Sequence, residues 1–474
     1  MLRRLSRLLG LSHRELVGLC VAFLATLPAV TPRIYASDEI QYFSYLRSLW
    51  FDRDLSFENE YRYFYERNVG RGENFHATFL ALETDVGLRP NFGTIGAPLL
   101  WLPFYAAGDL VARGMRAAGA KVEINGFSTP YIAAVTYGSA CYGFAAVLLS
   151  VSAARRINLS RPRNGESRPW PELLAAVIVW IGTPLLFYMY VAPPYAHAAS
   201  AFAVALVVWI WLRVRETWSV GGVVALGLVG ALMAMVREQD AFLALGPAVD
   251  YGLTAFRRRT SGDALVGAAA GVAAFVLGFA PQLLAYEAIN GYPGPSTLVA
   301  RKMSWHSPHA LRVLFSPEHG FVFWTPVAVL AIAGLAVLAF RNAPDARRIG
   351  RCALLMVALQ VYVSGSVDSW KVAGAFGQRR FVAITVLLVI GLSVLLRAAP
   401  ERAPRFVIGA ALALCVWWNL ALTAAFGIGL MNRQRLELKH NAYDAFITVP
   451  RMAPQLALRY LTNRESFYRS GQRE

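Results

Sequence analysis

The chain has 474 residues, 56% of them hydrophobic and only 16% charged, and its mean hydropathy is +0.43. That is too apolar for an ordinary soluble protein of this length, so the chain reads as an all-α polytopic membrane protein, a bundle of transmembrane helices. The net charge of +17 does not point to nucleic acid, because the arginines fall in short clusters between apolar runs, where they act as topology signals.

In chain order, Arg3, Arg4, Arg7 and Arg14 precede a first apolar span, about Leu16 to Ile34. No small-x-small cleavage pattern follows it, so a retained signal anchor with its basic end inside is expected. Next comes Ser37-Asp38-Glu39-Ile40-Gln41-Tyr42-Phe43-Ser44-Tyr45-Leu46-Arg47-Ser48-Leu49-Trp50, in which Ile40, Phe43, Leu46 and Trp50 share a helical face. The adjacent carboxylates Asp38 and Glu39 thus stand at a membrane surface, where an ionised pair can take a proton from an attacking hydroxyl or hold a cation. The plainer reading is helix initiation, with Ser37 as N-cap and both acids favouring the helix dipole.

The region Tyr35 to Phe127 is expected outside the membrane and holds most of the acids. Asp52, Asp54, Glu58 and Glu60 could bind a divalent cation, but their irregular spacing reads as solvated loop acids. Thr94 to Ala112 is apolar; were it a span, Arg155, Arg156, Arg161, Arg163 and Arg168 would reach the outer face, so it is expected to be an interfacial helix.

Further spans are expected near Thr129 to Ala153, Leu173 to Val191, His197 to Leu212, Ser219 to Val236, Ala241 to Phe256 and Ala264 to Ala285. Phe321 to Phe340, Cys352 to Val367, Phe381 to Leu396 and Phe406 to Gly429 complete about eleven. Inside loops then carry Arg213 with Arg215, Arg257 to Arg259, Arg341 to Arg351 and Arg397 to Arg405, a regular alternation. Residues 1–430 form the membrane domain, and the basic tail Met431 to Glu474 falls outside by the odd span count. Cys20, Cys141, Cys352 and Cys415 lie in apolar runs and read as buried structural thiols.

This topology gathers ionisable residues on the outer face: His197 behind Pro193-Pro194, Arg237 to Asp240, Lys302, His319 and the pair Arg379-Arg380. Convergent ionisable groups at span ends point to function. Each also has a plainer reading: an Arg237–Asp240 ion pair, interfacial anchoring by Arg379 and Arg380, an interfacial histidine at His197, turn chemistry at His319.

The arrangement resembles the GT-C fold of membrane glycosyltransferases, the superfamily of protein O-mannosyltransferases and the aminoarabinose lipid A transferase. The resemblance rests on a first span ending in Asp38-Glu39, a long external loop with amphipathic helices, and many spans joined by short loops. Ser48 to Leu55, Phe92 to Phe104, Ser316 to Pro326 and Phe376 to Phe381 are similar to an uncharacterised bacterial branch. It implies a bacterial cytoplasmic-membrane enzyme with its active site facing outward. Its donor would be a polyprenyl-phosphate-linked sugar and its acceptor a lipid, glycan or protein. Asp38 would be the catalytic base and Glu39 its partner. Several relatives carry a second acid in the turn after the third span, where this chain has Ala192 to His197; either His197 or Asp240 would serve.

The expected mechanism has Asp38 deprotonating an acceptor hydroxyl while Arg237, Lys302, Arg379 and Arg380 neutralise the departing phosphate. Asp240, His197 and His319 complete the expected substrate-binding set. No nucleotide-binding glycine loop is visible, which disfavours a nucleotide-sugar donor. A transporter of lipid-linked glycans should show internal repeats and mid-membrane polar groups, neither of which is evident. A non-catalytic assembly subunit would need none of the convergent charges.

Overall fold

A computed structural model describes residues 2–70, 74–158, 170–258, 261–306, 308–372, 374–399, 405–464 and 466–469. Glu73, Arg161, Arg163, Arg168, Arg259 and Arg402 lie outside the described residues. The principal helices, in order, are α1 (Leu2–Leu9), α2 (His13–Thr26), α3 (Ser37–Arg47), α4 (Glu58–Glu66), α5 (Gly96–Ala117) and α6 (Thr129–Asn158). There follow α7 (Trp170–Ile181), α8 (His197–Val214), α9 (Val220–Val236), α10 (Leu245–Arg258) and α11 (Ser261–Asn290). The last six are α12 (Ala310–Phe315), α13 (Val327–Ala339), α14 (Pro344–Gly365), α15 (Thr385–Ala398), α16 (Arg405–Gly427) and α17 (Val449–Thr462). No strand occurs among the described residues.

Five helices are long and apolar enough to cross a membrane: Thr129–Ile157, His197–Val214, Gly262–Asn290, Arg379–Ala398 and Phe406–Gly427. A sixth arises if Leu2–Leu9 and His13–Ala29, bent by 105°, act as one. This is the composition of a helical membrane protein.

Several expected spans are interrupted where the backbone chemistry demands it. Leu173 to Val191 breaks at Gly182-Thr183-Pro184, and Phe321 to Phe340 breaks at Thr325-Pro326, since proline removes a donor and crowds the preceding turn. Ala241 to Phe256 is not one helix: Glu238–Ala244 is a 3₁₀ segment, followed by the amphipathic α10. The tail is not a bare extension, for it contains α17, and Trp417 Nε1 donates to the Ala445 carbonyl at 3.0 Å.

The chain divides into two compact units. The first comprises residues 1–161, 188–303 and 383–386. Within it, α9 and α11 approach closely at Gly227 and Gly271, where a methyl group on either would meet the other helix's backbone. Trp209 Nε1 donates to Ser152 Oγ at 2.9 Å and joins α8 to α6. Arg155 pairs with Glu15 at 2.6 Å and joins α6 to α2.

The long segment after α2 has its own aromatic core. Phe43, Tyr45, Phe57, Tyr61, Phe64, Phe75 and Tyr105 are all buried, and Tyr63 stacks on Phe127 with centroids 3.9 Å apart. Asp52 and Asp54 are exposed loop acids as expected, Glu58 is half-buried and Glu60 buried, and all four have protein partners. Arg47 pairs with Asp52 and with Glu60 at 3.0 Å, while Glu58 holds Arg62 at 2.6 Å and Arg89 at 3.2 Å. Asp54 Oδ1 accepts from Ser48 Oγ at 2.7 Å. Gly126 closes this region at φ +83, with Tyr105, Arg47 and Phe51 where a side chain would project.

The second unit comprises residues 162–187, 304–382 and 387–474. α13 and α15 cross at Gly334 and Gly391 with backbone close to backbone. Glu172 on α7, fully buried, pairs with Arg397 at 2.5 Å at the end of α15. Cys352 is buried and the other three thiols are half-buried.

Candidate functional site

The structure builds the head of α3 differently from the expected cap. Ala36, not Ser37, occupies the N-cap, and it has no side-chain oxygen to offer. Glu39 supplies the cap from inside the helix: its Oε2 accepts from the Tyr35 N–H at 2.5 Å and the Ala36 N–H at 3.1 Å. Its other oxygen, Oε1, is buried without a hydrogen-bond partner. Burial pushes the Glu39 carboxyl up to about 8, outweighing the two backbone hydrogen bonds, with Asp38 adding to the rise. Glu39 therefore keeps its proton at neutral pH and fixes the start of α3. Asp38, one residue earlier, is half-buried on the same first turn.

One turn further along, α3 grips the stretch that leads into α5. Gln41 Oε1 accepts from the Phe92 N–H at 2.8 Å, and the Gln41 carbonyl accepts from Asn91 Nδ2 at 3.0 Å. Tyr45 Oη donates to the Gly93 carbonyl at 3.2 Å. The far side of the stretch is held by two other helices. Thr94 Oγ1 donates to the Val236 carbonyl at 2.8 Å, and the Ile95 N–H donates to Gln282 Oε1 at 2.9 Å. Gly96 lies against the backbone of Met235 and Val236 so closely that a Cβ there would collide with it. The Phe92-Gly93-Thr94-Ile95-Gly96 motif is thus the junction that brings α3 to the end of α9.

At that end the chain turns through Arg237, Glu238, Gln239 and Asp240. Arg237 sits in extended backbone and directs one guanidinium nitrogen at His197 Nδ1, 3.2 Å away, and another at Gln239 Oε1, 3.2 Å away. The rings of Tyr188 and Tyr195 flank His197 at 4.6 and 5.7 Å between centroids. Asp240, fully buried, accepts from Ser200 Oγ at 2.5 Å and leaves Oδ1 without a partner. Burial raises its carboxyl above the usual range, against the pull of Arg237 and Ser200. The expected Arg237–Asp240 ion pair is therefore not the arrangement adopted among the described residues.

Glu238 receives a 2.7 Å hydrogen bond from Tyr286 Oη, and burial lifts its carboxyl too. Tyr286 lies within electrostatic reach of Tyr42 and Tyr45 on α3, which ties the Glu238 turn to the helix that begins at Asp38. Tyr42 is one turn beyond Asp38 and meets Trp101 edge-on at 6.3 Å. Lys302 is exposed and lies 5.9 Å over the Phe92 ring, on the same junction.

The other expected residues belong to the second unit. His319 is fully buried, stacks on Trp324 at 5.3 Å and places Nε2 3.1 Å from the Ala375 carbonyl. Burial lowers its pKa. Arg380, also buried, donates to the Ser369 carbonyl and to Ser369 Oγ, each at 3.1 Å. Gln378 Nε2 donates to the Trp370 carbonyl at 3.0 Å. These contacts shape the 369–380 turn. Arg379 is half-buried at the start of a 3₁₀ segment, Arg379–Ile384.

The structure thus brings Asp38, Glu39, His197, Arg237, Asp240 and Lys302 into one unit and His319, Arg379 and Arg380 into the other. Sequence reasoning missed Gln41, Tyr45, Gln282 and Tyr286 as parts of the junction. Gln282 and Tyr286 show only as polar side chains in the otherwise apolar α11, and Gln41 and Tyr45 only as members of the stretch that follows Asp38-Glu39. No protein-family model matches the chain, and no curated protein matches it.

Proposed function

We propose that the chain is a membrane glycosyltransferase that moves a sugar from a polyprenyl-phosphate donor to a hydroxyl acceptor, with Asp38 as general base. The reading is supported by one observation above the others: the junction ties the acidic head of α3 to a turn carrying a permanent cation, Arg237, a half-buried carboxyl, Glu238, and a buried one, Asp240. In this reaction the acceptor oxygen forms a bond to the anomeric carbon while the bond from that carbon to the phosphate oxygen breaks. The hydroxyl proton passes to Asp38, and the lipid phosphate leaves with the bonding electrons. Arg237 and Lys302 offset its charge, since guanidinium and ammonium donors strengthen as water is excluded. Glu39 acts as a positioning residue through the cap, because its proton is retained at neutral pH.

We further assign the protein to a bacterial cytoplasmic membrane with this site outward, a placement supported by the arginine-rich loops expected on the opposite side. The test is sugar release from a panel of radiolabelled polyprenyl-phosphate sugars by purified protein in lipid, comparing wild type with Asp38→Asn. Loss of a general base should lower turnover about 100-fold or more at unchanged folded yield. Equal activity in the variant, or no donor consumed, would move transport or scaffolding to the front.

A further inference from the structure

The second unit contains a cleft of about 410 Å³ that the proposed reaction does not use. Leu311, Arg312, Phe315, Ser316, Pro317, Glu318, Trp370 and Lys371 line it. Its size is that of a small-ligand site, and its lining is divided by chemistry. Leu311 and Phe315 present apolar surface that is 74% and 53% exposed. Arg312 Cζ and Lys371 Nζ stand 6.0 and 5.7 Å from the centroid of the buried Trp370 ring.

The polar groups have capacity left over. Arg312 has no ion-pair partner among the described residues. Lys371 commits one donor to Glu318 Oε1 at 3.1 Å and has two remaining. Glu318 is 31% exposed, and its Oε1 keeps a second lone pair beside Lys371. The walls are held rigid from behind, since the Glu318 carbonyl accepts from Trp324 Nε1 at 3.0 Å and from the Leu436 N–H at 2.9 Å.

We propose that this cleft binds a lipid whose phosphate carries a hydroxylated headgroup. The phosphate sits on Arg312 and Lys371, a headgroup hydroxyl donates to Glu318 Oε1 beside Lys371, and the hydrocarbon lies over Leu311 and Phe315. Guanidinium and phosphate oxygens match in a two-pronged geometry, and a hydroxyl satisfies the acceptor that phosphate alone would repel. An aromatic residue at a membrane interface explains Trp370 equally well in isolation. It does not explain a cation with no ion pair among the described residues in the same lining as a Lys371–Glu318 pair. The proposal does not depend on the assignment of Asp38.

The experiment is isothermal titration calorimetry of the full-length protein in neutral detergent with three probes: dihexanoyl-phosphatidylglycerol, dihexanoyl-phosphatidylcholine and glycerol 1-phosphate. The first should bind about tenfold more tightly than either of the others, and Arg312→Gln should weaken it by a similar factor while Arg312→Lys retains part of the affinity. Leu311→Ser, at an exposed position, gives a second variant and should weaken only the lipid. Equal binding of phosphatidylcholine would reduce the cleft to an interfacial belt. Equal binding of glycerol 1-phosphate would make it a site for a soluble anion. Unchanged phosphatidylglycerol affinity in folded Arg312→Gln and Leu311→Ser would overturn the site itself.

Discussion

Arg237 donates to Nδ1 of His197 across 3.2 Å, joining residues that are 40 apart in sequence. A guanidinium has no acceptor, so the imidazole must accept at Nδ1 and carry its proton on Nε2. The pair therefore determines a tautomer as well as a position.

Replacing Arg237 with glutamine removes a permanent charge and the donor that orients His197. Turnover in the radiolabelled-donor assay should fall about 10- to 100-fold at unchanged folded yield. Arg237→Lys should recover only part of it, because a point charge cannot serve both His197 and Gln239 in the same fork geometry. Full activity in the lysine variant would show that charge alone suffices.

The Glu39 carboxyl is raised in the folded protein to about 8 from 4.5. The folded state therefore binds more protons than the unfolded state between those values. The contribution to stability is complete below about pH 4.5 and is lost as pH rises through about 8. Glu39→Gln keeps a cap acceptor and removes the ionisation. Its thermal midpoint in detergent should match wild type near pH 5 and exceed it above pH 8. Glu60, raised to about 7, leaves a residual slope of the same sign in both proteins.

Gly96 is the tightest point of the junction. In Gly96→Ala the new methyl group meets the Met235 and Val236 backbone, so the Thr94 and Ile95 hydrogen bonds to Val236 and Gln282 must give way. Overpacking of this kind costs about 1–3 kcal/mol. A lowered thermal midpoint with loss of activity is expected. Gly114→Ala, where the added carbon meets nothing, is the control: activity should be unchanged and the midpoint equal or higher, since alanine favours a helix over glycine.

The Glu172–Arg397 pair makes the same kind of point in the second unit. Glu172 is fully buried, and Arg397 reaches it with both Nε and Nη2, at 2.5 and 2.8 Å. Arg397→Ala removes both guanidinium hydrogen bonds from the buried Glu172 carboxylate, at a cost of about 3–5 kcal/mol. Adding Glu172→Leu should restore much of the lost midpoint. A double variant no better than the single one would show that packing of the arginine stem, and not its charge, holds α7 to α15.

The helical character and the long apolar helices at Thr129–Ile157, His197–Val214 and Phe406–Gly427 were legible in the chain, because period and composition are local properties. Breaks at Pro184 and Pro326 are local as well, although the expected spans ran through them. The acids were harder. Asp38 and Glu39 are neighbours of one type, and only the fold buries one as a backbone cap while leaving the other half-buried. Arg237 had an apparent partner three residues away in Asp240, yet it turned to His197 while Asp240 turned to Ser200. Such choices depend on which helices pack together, and hydrogen-bond partners 40 to 187 residues apart in the chain leave no periodic trace. By itself the sequence determined that this is a helical membrane protein with an acid pair at the head of a helix. Tertiary structure decided which acid holds its proton and which cation stands beside which ring, since burial and approach are properties of the packed chain.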